Sequence, residues 1–510
     1  MALKCLKFKL KIDKQNNMNR NFRLLFSING NLPLILSLVV VGCFSVFSYL
    51  RFASNLYVDI DGFCYLNTVG SVWTYVSSGL QYWIDPLRSP LLILFIPPEI
   101  NIARFAMITY LLISTFFIFL IVRKLTKRVD VAFVASVSFG TIPYLLDFIR
   151  QVMSDLPAIA LFLAGLYVFL HGLETQKSRT RNYLISSTIM GFSFLIRFDM
   201  AILILPIFIL LLLKDRRSFV TYLIPFLFVA VFLQLISTYL YVGQLEYLPW
   251  KFVYTNFFTS QWAISHVSDA SFYYYLPLAF SFQPFLFCFS LLSLPIVFKM
   301  KDTRAILIAA MFIFFIFAFF IAPKTSPRVF VINYFAIATL LASILLTALS
   351  KLTLFQKKIF VKKYPLLLAI MMGVLLISSF AFQTQSPYLN WTPQETIQQI
   401  VDEGTFTNKT ILSNCFQGLI YFISSTDSSS KPLPPMTKIN QVDCILTSQH
   451  DVESLRNELE KKNYDLLVYF EYPELSNFDL AELEYLKLTY SFEIMLCGDY
   501  NLFLFHLDGH

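Results

Sequence analysis

The stretch ARFAMITYLLISTFFIFLIVRKLTKR, Ala103 to Arg128, decides the fold. A long apolar run ends on Arg123, Lys124, Lys127 and Arg128. A helix needs about 20 apolar residues to cross a bilayer. Lys and Arg collect where such helices meet the cytoplasm. The same pattern recurs in both directions, with apolar runs from Leu32 to Phe382 alternating with short basic loops. The chain of 510 residues is 57% hydrophobic and 14% charged, with mean hydropathy +0.64. Soluble domains are about a quarter charged, so the composition reads as a mainly α, polytopic transmembrane helix bundle. The 55 Phe and 27 Tyr fit lipid-facing helices with aromatic rings at their interfaces.

The basic loops set the topology. Residues 1–31 form a tail carrying Lys4, Lys7, Lys9, Lys11, Lys14, Arg20 and Arg23, which places the N-terminus inside. The first run, 32–53, lacks a small-residue cleavage pattern after it and is expected to stay as a signal-anchor helix. Further spans are expected at 91–122 (broken at Pro97 and Pro98), 130–149, 156–173, 219–242, 274–298, 305–322, 329–350 and 364–382. The run 182–213 is longer than one span needs and is interrupted by Arg197 and Asp199, so it reads as two short helices turning at the outer face. That makes about 11 spans over 32–382, with a first outer loop at 54–89. The tail and inner loops hold about 25 of the 40 Lys and Arg. The net charge of +8 is therefore a topological signal, and no nucleic-acid partner is expected. The seven Cys show no zinc-type spacing.

Beyond residue 382 the composition turns acidic. Short strand-like runs (TILSN, DCILTS, DLLVYF, NLFLFHL) alternate with the helix-like VESLRNELEKK. Residues 383–510 are thus expected to form a small, soluble, extracytoplasmic α/β domain. The sequons at Asn390 and Asn408 agree with an outer location, and Cys415 and Cys444 form a candidate disulfide there.

The first outer loop opens with DIDGFCYL, Asp59 to Leu66. Leu66, Val69, Trp73, Val76 and Leu80 then recur at spacings of three and four, with Asn67, Ser71, Ser78 and Gln81 mostly elsewhere. This is the stripe of an amphipathic interfacial helix lying flat on the outer surface. Asp61 sits near its start, where a helix favours a carboxylate, and Tyr65 lies one turn along on the same side. A second acid, Asp155, occupies a short outer turn, with Arg150 five residues earlier as a possible ion-pair partner. Both acids also suit plain helix capping. Five outer cations, Arg88, Arg150, Arg197, Lys324 and Arg328, have a structural alternative as snorkelling interfacial residues. Together, carboxylates and cations at a membrane-level cleft suit a lipid-phosphate donor. The cations hold the phosphate leaving group and a carboxylate acts as general base on an acceptor hydroxyl.

These residues resemble the polytopic C-type superfold glycosyltransferases, including the protein O-mannosyltransferases and the lipid A aminoarabinose transferases. The resemblance rests on Asp61-Gly-Phe-Cys-Tyr65, on Asp85-Pro-Leu-Arg88-Ser-Pro90-Leu, on Ala103-Arg104-Phe105 and on Ser154-Asp155-Leu-Pro. It continues in Gly191-Phe-Ser-Phe-Leu-Ile-Arg197-Phe and in Arg328 with Tyr334, and covers roughly 30–350. Where the family often has His-Pro-Pro-Leu, this chain has Arg88-Ser-Pro-Leu. The resemblance implies sugar transfer from a polyprenyl- or dolichyl-phosphate donor on the outer or luminal face. It makes Asp61 the candidate base, with Asp59 as fallback, and Asp155 a second acidic site residue. Tyr65, Arg88, Arg150, Arg197, Lys324 and Arg328 are the candidate substrate-binding residues. Cofactor use stays open; a divalent cation, if bound, would sit at Asp61 and Asp155. Expected partners are membrane lipids, the lipid-linked donor and a protein, lipid or glycan acceptor. The location is a plasma membrane in a prokaryote or the endoplasmic reticulum in a eukaryote. The rival readings are a transporter or lipid flippase, a surface-glycan polymerase or ligase, and a non-catalytic scaffold. A transporter predicts inverted repeats and mid-bilayer helix breaks, and the sequence has no internal repeat.

Overall fold

The computed structural model describes residues 31–52, 60–78, 89–243, 247–253, 284–321 and 327–351, together with the strands, helices and short flanking stretches of the segment beyond 383. The helical part runs α1 (Leu32–Phe52), α2 (Ile60–Ser78), α3 (Ile100–Thr126), α4 (Val129–Gly140), α5 (Pro143–Gln151), α6 (Asp155–Glu174), α7 (Arg179–Ile196), α8 (Ala201–Lys214) and α9 (Arg216–Leu227). It continues through α10 (Gln234–Val242), α11 (Leu248–Val253), α12 (Pro284–Met300), α13 (Thr303–Ile321) and α14 (Pro327–Lys351).

The opening stretch forms α3. Its start follows from the Pro97-Pro98 break: Pro90–Leu94 forms a separate 3-10 turn. Glu99 then caps α3 by accepting from the backbone N–H of Asn101 and Ile102. At the far end, Arg123 and Lys124 occupy the last turn, where cations complement the helix dipole. Lys127 closes α3 in a left-handed conformation, φ 57°.

Among the described residues, four helices are long and apolar enough to cross a bilayer: Leu32–Leu50, Ile100–Thr126, Asp155–Glu174 and Arg216–Tyr241. α4 and α5 meet at a 43° bend and make a fifth if taken as one broken span. The expected helix pair in 182–213 is α7 and α8, joined at Phe198–Met200. Shorter apolar helices cover Cys288–Met300, Thr303–Phe317 and Tyr334–Leu349. The expected span at 364–382 lies outside the described residues. The described helices therefore form a multi-pass bundle with fewer full-length crossings than the eleven read from hydropathy.

Small residues bring the helices together, as they do where lipid removes the hydrophobic drive between helices. Ser186 Oγ donates to the Gly165 carbonyl and Ser193 Oγ to the Ala158 carbonyl, both at 2.8 Å, which knits α7 to α6. Gly140 lets α4 close on α1, since a Cβ there would stand 2.5 Å from a Val41 methyl. Gly191 does the same for α7 against the turn before α10, where a Cβ would stand 2.8 Å from Val229 Cβ. That turn is a π-helix, Phe228–Leu233, inside the Arg216–Tyr241 span.

α2 confirms a helix in the first loop but corrects its setting. Tyr65, Leu66, Asn67, Thr68, Val69, Ser71 and Val72 are all buried, whereas Trp73 is exposed. A helix lying flat would wet Asn67 and Ser71. Here both are buried, and the helix packs against the Pro90–Leu94 turn, so the protein encloses it on its polar side as well.

Beyond 383, β1 (Thr410–Ser413), β2 (Gln441–Cys444), β3 (Leu466–Phe470), β4 (Ser491–Cys497) and β5 (Tyr500–His506) form one sheet in the order β2-β1-β3-β5-β4. β1 pairs in parallel with β2 and β3, and β5 runs antiparallel to β3 and β4. Two helices, α15 (Val452–Lys461) and α16 (Asn477–Thr489), accompany it. The expected runs coincide with β1, β3, β5 and α15, the run DCILTS shares only Asp443 and Cys444 with β2, and α16 and β4 were not expected. β4 reads poorly because it is an edge strand with Ile494 and Leu496 exposed. The candidate disulfide partner Cys415 lies outside the described residues.

Candidate active site

The short turn between α5 and α6 and the turn between α7 and α8 place three charges together. Asp155 is the first residue of α6 and is 2% exposed. Arg197 ends α7 in an extended conformation that breaks the helix. Its Nη1 lies 2.5 Å from Asp155 Oδ2, and its Nε lies 2.9 Å from Asp199 Oδ1. One guanidinium thus bridges two carboxylates in an environment nearly closed to water. A buried ion pair is costly to assemble, so the arrangement needs either full compensation or a functional use. Tyr65 of α2, itself buried, stands close enough for its hydroxyl to bear on the Arg197 charge. Three of the residues singled out in sequence, from three separate helices, therefore meet at one point.

The turn itself is constrained. Val152 has φ 53°, a left-handed conformation that a β-branched residue adopts only under strain. Ser154 stands at the N-cap of α6 without a capping side-chain hydrogen bond, and Asp155, which suited a cap in sequence, is the first residue of the helix itself. Arg150 takes Asp147 as its partner at 2.9 Å, one turn back on α5, and Asp155 takes Arg197; the Arg150–Asp155 pair read from proximity in sequence is replaced by these two. Gln151 Nε2 also donates to Asp147, at 2.7 Å.

Two residues that sequence reasoning did not single out for the site support it. Arg104, 1% exposed, donates from Nε to the Arg150 carbonyl at 3.0 Å and so ties α3 to the last turn of α5. An arginine inside an apolar run was the available signal. Gln234 opens α10 directly after the π-helix and is fully buried. Ser89 Oγ donates to its Oε1 at 2.8 Å, and its Nε2 donates to Thr238 Oγ1 at 3.2 Å. The extra residue of a π-turn shifts the helix register, and this shift accompanies Gln234's contact with the 89–94 turn.

Asp61 is the second residue of α2 and Arg328 the second of α14, each at a helix N-terminus. Asp59, Arg88 and Lys324 lie outside the described residues. Among the described residues no group of three or more His, Cys, Asp or Glu gathers as a metal site. At the point where Asp155 and Asp199 meet, the donor set is already matched to a guanidinium.

Residues 93–242 match the family model described as dolichyl-phosphate-mannose-protein mannosyltransferase. No curated protein matches the chain. Among solved structures, the chain is similar to ArnT from Cupriavidus metallidurans bound to undecaprenyl phosphate, at 13% identity and TM-score 0.57, covering 94% of this chain and 98% of that one. The apo state of the same protein gives 14% identity and TM-score 0.55, covering 94% and 100%. An oligosaccharyltransferase from Archaeoglobus fulgidus, in complex with zinc and sulfate, gives 13% and 0.52, covering 85% of this chain and 68% of that one. The chain thus shares the fold of these solved structures, the fold its motifs implied. Its segment 93–242, which holds Asp155, Arg197 and Gln234, carries the sequence pattern of the mannosyltransferase family. The chain's apolar helices make it a multi-pass integral membrane protein, and its segment 93–242 is similar to the mannosyltransferase family.

Proposed function

We propose that this protein is an inverting glycosyltransferase that takes a sugar from a polyprenyl- or dolichyl-phosphate carrier, with undecaprenyl phosphate as one candidate, and passes it to an acceptor hydroxyl at the outer membrane face. The observation that carries this reading is the buried Asp155–Arg197–Asp199 cluster beside Tyr65. The two carboxylates fix the orientation of the guanidinium, and the other outer cations supply the positive charge that this cluster lacks, so that together they hold a phosphate. Asp61 is the assigned base, with Asp59 as the fallback. It takes the proton from the acceptor hydroxyl. The freed oxygen attacks the anomeric carbon, and the bond from that carbon to the phosphate oxygen breaks. The carrier phosphate leaves with the bonding pair, stabilised by Arg197 and assisted by Arg88, Arg150, Lys324 and Arg328. Asp155 orients Arg197 and is the second acidic residue of the site. If a divalent cation takes part, Asp61 and Asp155 are the residues to hold it.

In this reading the basic tail and loops face the cytoplasm and the segment 383–510 lies outside. The membrane is the plasma membrane of a prokaryote or the endoplasmic reticulum of a eukaryote. The acceptor is a protein, a lipid or a glycan. The test is a panel of lipid-phosphate sugars offered to the purified protein, with Asp61→Asn alongside. Transfer from one donor, falling about 10²- to 10⁴-fold in the variant, is the expected result. Transfer by Asp61→Asn at the parent rate removes Asp61 as base, and no turnover of any lipid-phosphate sugar removes the reading itself.

A further inference from the structure

A second polar site lies at the opposite end of the bundle. A cavity of about 580 Å³ opens among the ends of α6, α7, α8, α9 and α13. Four cations line it: Arg179, Lys214, Lys301 and Arg304. Three acids line it as well, and each is already engaged. Asp215 caps α9, accepting from the backbone N–H of Arg217 and Ser218 and from the Ser218 hydroxyl. Asp302 is held by Arg304 Nη2 at 2.7 Å. Glu174 pairs with Lys124 at 2.5 Å and with Arg304.

The cations are less fully used. Lys214 donates to the uncharged Thr303 hydroxyl at 2.8 Å. The Arg179 Nε is buried and has no hydrogen-bond partner among the described residues, although a buried guanidinium donor left unmade is costly. Arg179 is also the first residue of α7, whose start carries no side-chain cap. The dipole at the start of α7 adds to the positive potential. Leu173, Leu210 and Leu211 supply an apolar wall on the same cavity. Cations above an apolar wall, at membrane level, match a phosphate group carried on a hydrocarbon body.

We propose that this cavity binds a phosphate group, presented by the headgroup of an anionic membrane lipid at the cytoplasmic leaflet. Four cations face three acids in this lining, so it carries an excess of positive charge, to which Arg179 and Lys301 contribute. The site is separate from the Asp155–Arg197 cluster, and its success or failure is independent of the transfer reading.

The test is native mass spectrometry of the full chain, delipidated and titrated in parallel with phosphatidylglycerol, phosphatidylcholine and inorganic phosphate. Phosphatidylglycerol is expected to bind about ten-fold more tightly than phosphatidylcholine, and Arg179→Gln/Lys301→Gln to lose about ten-fold of that affinity. Arg179→Lys, which keeps the charge, is expected to retain most of it. Inorganic phosphate that binds alone, displaces the lipid and is lost in the same variant supports the phosphate site and assigns its source to solution. Equal binding of the two lipids together with no phosphate binding overturns the proposal, and so does parent-like affinity in the double variant. If the double variant unfolds, Lys301→Gln alone decides: a loss of about three-fold supports the site, and no loss overturns it.

Discussion

At each end of the helical bundle one arginine stands between two carboxylates. At one end Arg197 bridges Asp155 and Asp199, with side chains 11%, 3% and 15% exposed. At the other, Arg304 bridges Glu174 and Asp302, with side chains 20%, 33% and 24% exposed. Even the local spacing repeats: Arg197 with Asp199 and Asp302 with Arg304 are both two residues apart. The chemistry is the same and the setting differs. Water screens the second group, so it acts as an interhelical tie and contributes little. The first is nearly dry, so its desolvation is large and its geometry strict. The same triad therefore serves as an anchor at one end and as a preorganised charge at the other.

The largest effect expected from breaking this comparison is at Arg197. Arg197→Met leaves two carboxylates adjacent and buried, and should cost about 3–5 kcal/mol of stability. Arg304→Met should cost less than about 1 kcal/mol. Thermal unfolding of both in one detergent gives the contrast, and equal losses would erase it. Adding Asp155→Leu to Arg197→Met should return stability without returning transfer, which separates packing from chemistry. Next in size is Gln234→Leu. It leaves the Ser89 hydroxyl without its buried acceptor and should cost about 1–3 kcal/mol. It should also raise KM for the lipid donor more than it lowers kcat, because the 89–94 turn loses its tether to α10. A change in kcat alone would count against that positioning role.

The pH response comes next. Arg304's hydrogen bond to Asp302 holds that carboxyl below its ordinary range. A depressed carboxyl contributes stability that is present above its unfolded value, about 3.9, and is lost as pH falls through the folded one. Melting temperature should thus show no loss from this group between pH 7 and pH 5 and a loss below about pH 4, with the acid step reduced in Asp302→Asn. A parent curve that matches Asp302→Asn down to pH 3 would remove the assignment. The smallest effect is expected at the half-buried Arg128–Asp130 pair, where Asp130→Asn should change stability by less than about 1 kcal/mol and leave transfer unchanged.

The helical class, the multi-pass character and the family resemblance were all legible in the sequence, because each depends on local patterns. An apolar run and a basic loop declare themselves over twenty residues. Asp155 and Arg197 were legible as candidates because charges inside or beside apolar spans are costly and stand out. Their partnership was not legible. The two are separated by the whole of α6 and α7, and sequence proximity pointed to Arg150, which lies in the last turn of α5. Gln234 was hidden for a related reason: its contact with Ser89 accompanies a π-turn that leaves no mark in composition.

The sequence by itself determined where helices form and which ends carry basic residues, since solvation by lipid and water acts residue by residue along the chain. Only the tertiary structure decided which charges meet. It brought Tyr65 to Arg197, and it enclosed α2 on a face that the apolar stripe alone would have left wet. It also left the Arg179 Nε without a hydrogen-bond partner among the described residues at the far end. Pairing depends on how helices cross and how closely small residues let them approach, and that geometry belongs to the assembled bundle and to no single segment.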